Sequence, residues 1–149
     1  MSPFHNFFGK DKFLSLLTDE EKVEISTFPP VFYRIISKKK TEPKVLTATD
    51  NKNAVLARLT IAELEQLALS AEAEIEGDDL LGSNDSEARA SYKKATEINP
   101  YNDRALMKYA FSLANKGNFR EGMKWAEKAI QLNPKNMDAV KSILDAHEK

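Results

Sequence analysis

The chain has 149 residues, of which 42% are hydrophobic and 30% are charged, and its formal net charge is −1. This composition is typical of one folded domain or a small repeat array, and it argues against wholesale disorder. The sequence has no cysteine, which excludes disulfides and thiolate metal sites and is compatible with the cytoplasmic location that we expect.

Residues 1–58 show no internal repeat, and we predict that they form a separate N-terminal module. Ser2-Pro3 is able to open a short helix that carries several phenylalanines on one side. Thr18 and Glu21 have the spacing of a capping box, in which each side chain binds the backbone N–H of the other residue. We therefore expect short helices in this module.

The second half of the module contains two segments that favour strands. Residues 31–36 and 45–49 are dense in β-branched and aromatic side chains, and the polar residues 37–44 separate them. Because such segments pair across a short polar turn, we predict a small β-hairpin. The alternative is a basic amphipathic helix that Pro30 opens.

The segment 59–98 starts with a helix signal and is strongly acidic. Thr60 and Glu63 form a second capping box, and an apolar stripe follows them. The sequence leaves two lengths open: one long helix, or a helix that ends near Glu76 with a stretched loop to Asn84. The segment holds 3 basic and 10 acidic side chains, which we interpret as a solvated acidic edge because their spacing is not that of a calcium-binding loop.

Two segments of the chain, 92–102 and 126–136, are copies of each other at a separation of 34 residues. Each contains an apolar helix pattern that ends in Asn-Pro. The identical pairs are Lys94/Lys128, Ala95/Ala129, Asn99/Asn133, Pro100/Pro134 and Asn102/Asn136. A period of this length predicts a stack of helix-turn-helix units, because one unit alone is too small to bury its apolar face.

The second copy can be divided into helices. Asn102 is a good N-cap, and Gly117 ends the helix that follows because glycine tolerates the left-handed conformation. A second helix then runs to Asn133, where Pro134 disfavours helical geometry. After the proline, Asn136 caps a last helix, whose apolar side is expected to cover the second repeat.

The sizes of the side chains in these helices follow a known pattern. Large and small residues recur as Leu106-x2-Tyr109-Ala110-x2-Leu113, Gly122-x3-Ala126 and Pro134. In this pattern the chain resembles the tetratricopeptide repeat family over residues of about 61–149. The resemblance implies a mainly α fold, with about two repeats and a capping helix in residues 59–149.

The resemblance also implies where a partner binds, because the first helix of each repeat in this family lines a concave surface. The residues expected on that surface are Arg104, Met107, Lys108, Phe111, Asn115 and, on the capping helix, Lys141. Exposed Met107 and Phe111 beside two cations would suit an extended partner segment with apolar anchors and acidic character. The alternative is that these residues pack against residues 1–58.

Trp125, the single tryptophan, stands one residue before the position where the family prefers an aromatic side chain, which Ala126 takes here. Large aromatic side chains on a helix surface are enriched at protein contacts. We nevertheless expect Trp125 to turn inward and to be mostly buried; the alternative is a partner contact on the convex side.

Some members of the family grip the C-terminal carboxylate of the major heat-shock chaperones with lysine, arginine and asparagine side chains. The resemblance places lysine and asparagine of a first repeat at Ala73 and Gly77, and asparagine of a second repeat at Lys108. It places lysine and arginine of a third repeat at Asp138 and Ser142, so none of the five positions matches. We therefore expect no binding to an acidic peptide that ends in Glu-Glu-Val-Asp, since Asp138 would repel a carboxylate.

The sequence does not predict catalysis. Its two histidines, His5 and His147, lie near the two termini without metal-ligand spacing, and its five glycines form no phosphate-binding loop. We therefore expect no enzyme, no cofactor and no metal site. Nor do we expect a nucleic-acid partner, because the three lysines 38–40 lack interleaved aromatic residues, or an integral membrane segment, because no apolar run is long enough.

These expectations lead to a non-catalytic function. We predict a protein–protein interaction adaptor, or a co-chaperone-like protein, that holds a segment of a protein or peptide partner on its concave face. The alternative is a structural or assembly subunit whose repeats dock onto residues 1–58 or onto another copy of the chain, as in a homodimer. Two repeats alone are marginal, because repeat arrays generally need at least three, so the exposed side of the first helix needs a cover.

Overall fold

The computed structural model describes residues 12–41 and 54–148, and every regular element in these two ranges is a helix. In the N-terminal module the elements are α1 (Asp19–Glu24), a 3-10 turn (Ile25–Thr27), α2 (Pro30–Thr41) and α3 (Ala54–Ala57). In the rest of the chain they are α4 (Ile61–Leu80), α5 (Asp85–Ile98), α6 (Asp103–Asn115), α7 (Phe119–Leu132), a 3-10 turn (Pro134–Asn136) and α8 (Met137–Glu148). The predicted mainly α fold is confirmed.

The first predicted strand lies in α2, so the predicted β-hairpin is wrong and the alternative, a helix that Pro30 opens, is confirmed. Proline suits the first turn of a helix, where its missing N–H would have no intrahelical partner. Tyr33 and Ile36 are buried against α4, and this packing outweighs the strand preference of the segment. Residues 1–11, with the helix expected there, and residues 45–49 lie outside the described residues.

Both predicted capping boxes are present, at the starts of α1 and α4. Thr18 and Glu21 exchange hydrogen bonds of 3.0 and 3.1 Å, and Thr60 and Glu63 exchange two of 3.0 Å. α4 continues to Leu80, so the longer of the two lengths that the sequence allowed is the observed one.

α4 and α5 form one helical hairpin, α6 and α7 form a second, and α5 packs against α6 to join them. The helices of each hairpin approach closely at a glycine. A Cβ atom at Gly77 would lie 2.5 Å from the ring of Tyr92, and one at Gly122 would lie 2.8 Å from the carbonyl oxygen of Ala110. Gly117, with a φ of 101°, turns the chain between α6 and α7, as the sequence predicted.

α8 closes the second hairpin. Val140 is 2% exposed and belongs to one apolar cluster with residues of α6 and α7, namely Leu106, Met107, Ala110, Ala126 and Ala129. The exposed charged residues described on α8 are Asp138, Lys141 and Asp145. This division into an apolar and a polar side is what the end of a repeat array needs.

The described residues of the predicted N-terminal module, 12–41 and 54–58, cover the first helix of the first hairpin. They share one apolar core with α4, made by Phe13, Leu14, Leu17, Tyr33, Ile36, Leu64, Leu67, Ala68 and Ala71, among others. Leu14 adopts a left-handed backbone, with a φ of 59°, and its N–H donates to Glu63 Oε2 at 2.8 Å. Residues 12–41 thus provide a cover for the exposed side of the first helix.

Candidate partner-binding surface

A ladder of polar contacts joins α4 to α6, the first helices of the two hairpins. At its start Asn102 Nδ2 donates to Ser70 Oγ at 3.1 Å, and at its end Lys108 Nζ donates to Asp78 Oδ2 at 2.9 Å. Glu74 lies between them and accepts from both Asn102 and Lys108. Since the contacts advance in the same direction along both helices, α4 and α6 run parallel and side by side.

Glu74 is the centre of this ladder, and its side chain is 7% exposed. It accepts hydrogen bonds from Lys108 at 2.7 Å, from Asn102 at 3.2 Å and from Arg104 at 3.3 Å. Burial by itself raises the pKa of this carboxyl group, but the hydrogen bonds from Lys108 and Arg104 outweigh it and hold the pKa below its ordinary value. Glu74 is therefore ionised at neutral pH and, together with Asp78, compensates the charges of Lys108 and Arg104.

Arg104 also binds the N-terminal module. Its guanidinium group donates to the carbonyl oxygen of Thr27 at 2.8 Å and to that of Ser26 at 3.3 Å. Close by, Asn99 Nδ2 donates to Ser26 Oγ at 2.8 Å. The start of α6 is therefore in contact with residues 26 and 27, as the packing alternative predicted for this arginine.

Met107 was expected to be exposed to a partner, and that prediction is wrong. It is 5% exposed and packs in the apolar cluster that contains Leu106 of its own helix and Val140 of α8. The helical pattern of α6 alone does not show this, because the cluster includes a residue of the last helix.

The other predicted binding residues fall into two groups. Arg104 and Lys108 are held by contacts within the chain. Phe111 is half-buried against the cluster of α6, α7 and α8, whereas Asn115 and Lys141 are exposed. Asn115 and Lys141 are the most accessible of the predicted residues, whereas the side chains of Arg104 and Lys108 are 38% and 35% exposed but already paired within the chain.

The N-terminal residues cover one side of α4 along most of its length but leave its C-terminal end exposed. Leu64, Ala68 and Ala71 lie on one stripe of α4 and are buried in the core that this helix shares with the module. Ile75 continues the stripe by one turn and is 46% exposed, and Leu81, just after the helix, is 57% exposed. The cover therefore stops before the last turns of α4.

We call this uncovered surface the open end, and it consists of Ile75, Asp79, Leu81, Phe111 and Asn115. The two residues of α6 belong to it because they follow Lys108, which meets Asp78 near the end of α4. Sequence reasoning missed Ile75 and Leu81 as surface residues. The apolar stripe of α4 is visible in the sequence, but the turn that stays uncovered depends on where α2 begins.

Trp125 turns inward, as we expected: it is partly buried and packs against apolar residues of α6 and α7. Its ring meets Tyr109 of α6 edge to face, with 5.1 Å between the ring centroids, and Lys128 Nζ lies 4.2 Å from its ring centroid. Trp125 thus packs on its own hairpin, and part of its surface stays accessible.

The second hairpin also matches a known family. A family model described as Tetratricopeptide repeat matches residues 103–136, which comprise α6, α7 and the 3-10 turn after them. This segment is a tetratricopeptide repeat. No curated protein and no solved structure matches the chain. The tetratricopeptide repeat indicates a protein–protein interaction function in general terms, and its family is typically non-catalytic.

The part of the chain that the structure describes contains neither a membrane-spanning helix nor a cluster of metal ligands. Within residues 12–41 and 54–148, no helix is both long enough and apolar enough to cross a membrane. These residues also include no group of three or more His, Asp or Glu side chains that could hold a metal ion.

Proposed function

We propose that the protein is an adaptor that binds a segment of another protein at the open end of its concave face. The observation that carries this proposal is the uncovered turn of α4, where Ile75 and Leu81 expose apolar side chains beside Phe111 and Asn115 of the tetratricopeptide repeat. Among the described residues, 12–41 occupy the neighbouring turns of α4 and leave this end accessible. A co-chaperone-like role and a cytoplasmic location stay predictions within this proposal.

The test compares two variants that place the same side chain on different sides of the repeat. Asn115→Arg puts a long cation into the open end, whereas Gln131→Arg makes the same change at an exposed position of α7. Each protein is immobilised and used to capture proteins from a native lysate, which are quantified by mass spectrometry. A partner that the wild-type protein and Gln131→Arg capture should be lost with Asn115→Arg. Identical sets of captured proteins for all three would contradict the proposal.

A second candidate function has its own supporting observation. Arg104 and Asn99 bind residues 26 and 27, so the repeats are in contact with the chain's own N-terminal module. This contact favours a structural or assembly subunit, either as a monomer or paired with another copy. Native mass measured over a range of concentrations separates the two candidates, because a concentration-dependent dimer that captures no other protein supports the assembly subunit.

A further inference from the structure

We propose that the partner segment at the open end is basic and carries apolar side chains. The inference rests on the proposed function, because it names the chemistry of the partner at the same surface. It is carried by two observations: the charges left unpaired on α4 and α8, including Asp79 in the open end, and the apolar side chains exposed at the open end.

The cations of α6 are compensated within the chain. Lys108 Nζ lies 2.7 Å from Glu74 Oε2 and 2.9 Å from Asp78 Oδ2. Arg104 donates to Glu74 and to the carbonyl oxygens of residues 26 and 27. An acidic partner would have to compete with these carboxylates for either cation, whose charge is already compensated. In the sequence, Arg104 and Lys108 suggested an acidic partner. In the structure their pairing within the chain removes that argument.

The exposed charges on α4 and α8 that form no ion pair among the described residues are mostly negative, and Asp79 lies in the open end itself. Four exposed carboxylates on α4 and α8 form no ion pair within the described residues: Glu76, Asp79, Asp138 and Asp145. Lys116 and Lys141 are exposed as well and offset part of this charge. The remaining negative charge complements lysine and arginine side chains of a partner.

Apolar contacts and charge would have different roles at this surface. Ile75 and Leu81 are 46% and 57% exposed, so a partner can bury them, and the half-buried ring of Phe111 extends the apolar area onto α6. Exposed charges at the edge of an interface act mainly on the association rate and on specificity, and salt screens them. The partner that fits both features has apolar side chains that lysines or arginines flank.

The experiment uses random linear peptides displayed on phage, which are selected on the full-length chain. Enriched peptides are then synthesised, and their affinities are measured for the wild-type protein and two variants. Asp79→Lys reverses a charge in the open end, and Glu97→Lys makes a comparable reversal at an exposed position of α5. We expect enriched peptides with net positive charge and apolar residues, a loss of affinity of about tenfold with Asp79→Lys, and no comparable loss with Glu97→Lys.

Several results would overturn the inference: acidic or neutral enriched peptides, no enrichment at all, or equal losses of affinity with the two variants. Equal losses would mean that the affinity for the peptides depends on the net charge of the protein and not on the charge at the open end. The lysate experiment separates this failure from that of the proposed function. If Asn115→Arg loses a captured protein while the selection yields no basic peptide, the adaptor stands and only the chemistry of its partner is wrong.

Discussion

Asn99 donates a hydrogen bond of 2.8 Å from its Nδ2 to Ser26 Oγ, and these two residues are 73 positions apart in the chain. Both residues are nearly inaccessible, with exposed fractions of 1% and 2%. Ser26 Oγ in turn donates to the carbonyl oxygen of Lys22 at 2.7 Å, so the hydroxyl group both accepts and donates a hydrogen bond. This contact fixes the N-terminal module to the turn between the two helical hairpins.

Ser26→Ala is expected to destabilise the fold. The substitution leaves the buried amide of Asn99 without its acceptor, which costs about 1–3 kcal/mol of the free energy of unfolding. Urea unfolding of the full-length chain measures this loss. The control is Thr27→Ala, because the Thr27 hydroxyl is exposed and donates locally to the carbonyl oxygen of Glu24. Equal effects of the two substitutions would show that the contact with Asn99 contributes no stability.

Much of the helical array could be predicted from the sequence, because its signals are local. These signals are the capping boxes at Thr18 and Thr60 and the left-handed Gly117, each of which acts within a few residues. The structure confirms all three at the predicted positions. The β-hairpin prediction failed because residues 31–36 are helical through packing against α4. That packing buries Tyr33, and no local pattern reports it.

The binding surface could be predicted less well, because it depends on contacts between distant residues. Lys108 and Glu74 are 34 positions apart, and Arg104 and Thr27 are 77 apart. From the sequence alone we therefore predicted that Lys108 and Arg104 are both available to a partner. The exposure of Ile75 has the same origin, since it is decided by where the N-terminal module stops on α4.

Gly122→Ala is expected to lower stability, although alanine is favoured over glycine in an exposed helix by up to about 1 kcal/mol. The added Cβ atom would lie 2.8 Å from the carbonyl oxygen of Ala110 and 3.3 Å from the backbone nitrogen of Ala114. Backbone atoms cannot rotate away, so α6 and α7 would have to separate at a cost of about 1–3 kcal/mol. Urea unfolding measures the change in the free energy of unfolding. A gain in stability with Gly122→Ala would contradict the close approach of α6 and α7.

Glu74→Gln is expected to destabilise the protein at neutral pH by about 1–3 kcal/mol, because two cations lose their shared carboxylate. The effect should depend on pH. The pKa of Glu74 is lowered in the folded protein, so the carboxylate stabilises the fold above its unfolded pKa of about 4.3. That stabilisation is lost as the pH falls through the lower, folded pKa, and the difference between wild type and variant should then shrink.

The measurement for Glu74 is urea unfolding of both proteins at several pH values between neutrality and about pH 3. Glu76→Gln is the matched control, since Glu76 lies on the same helix, is exposed and has no ion pair among the described residues. Its effect should be small at every pH. A difference for Glu74→Gln that stays constant down to the lowest pH would show that the charge of this carboxylate is not the stabilising feature.

An acidic peptide that ends in Glu-Glu-Val-Asp is expected not to bind. In the repeats that grip such a carboxylate, lysine, arginine and asparagine side chains face the peptide, whereas here Lys108 Nζ is already held by Glu74 at 2.7 Å and by Asp78 at 2.9 Å. Asp138, at another of these positions, is exposed and would repel the peptide. Titration calorimetry with the full-length chain should therefore show no binding heat beyond dilution. Binding at micromolar peptide concentrations would mean that the Glu74 and Asp78 contacts open readily, and it would restore a chaperone-linked role.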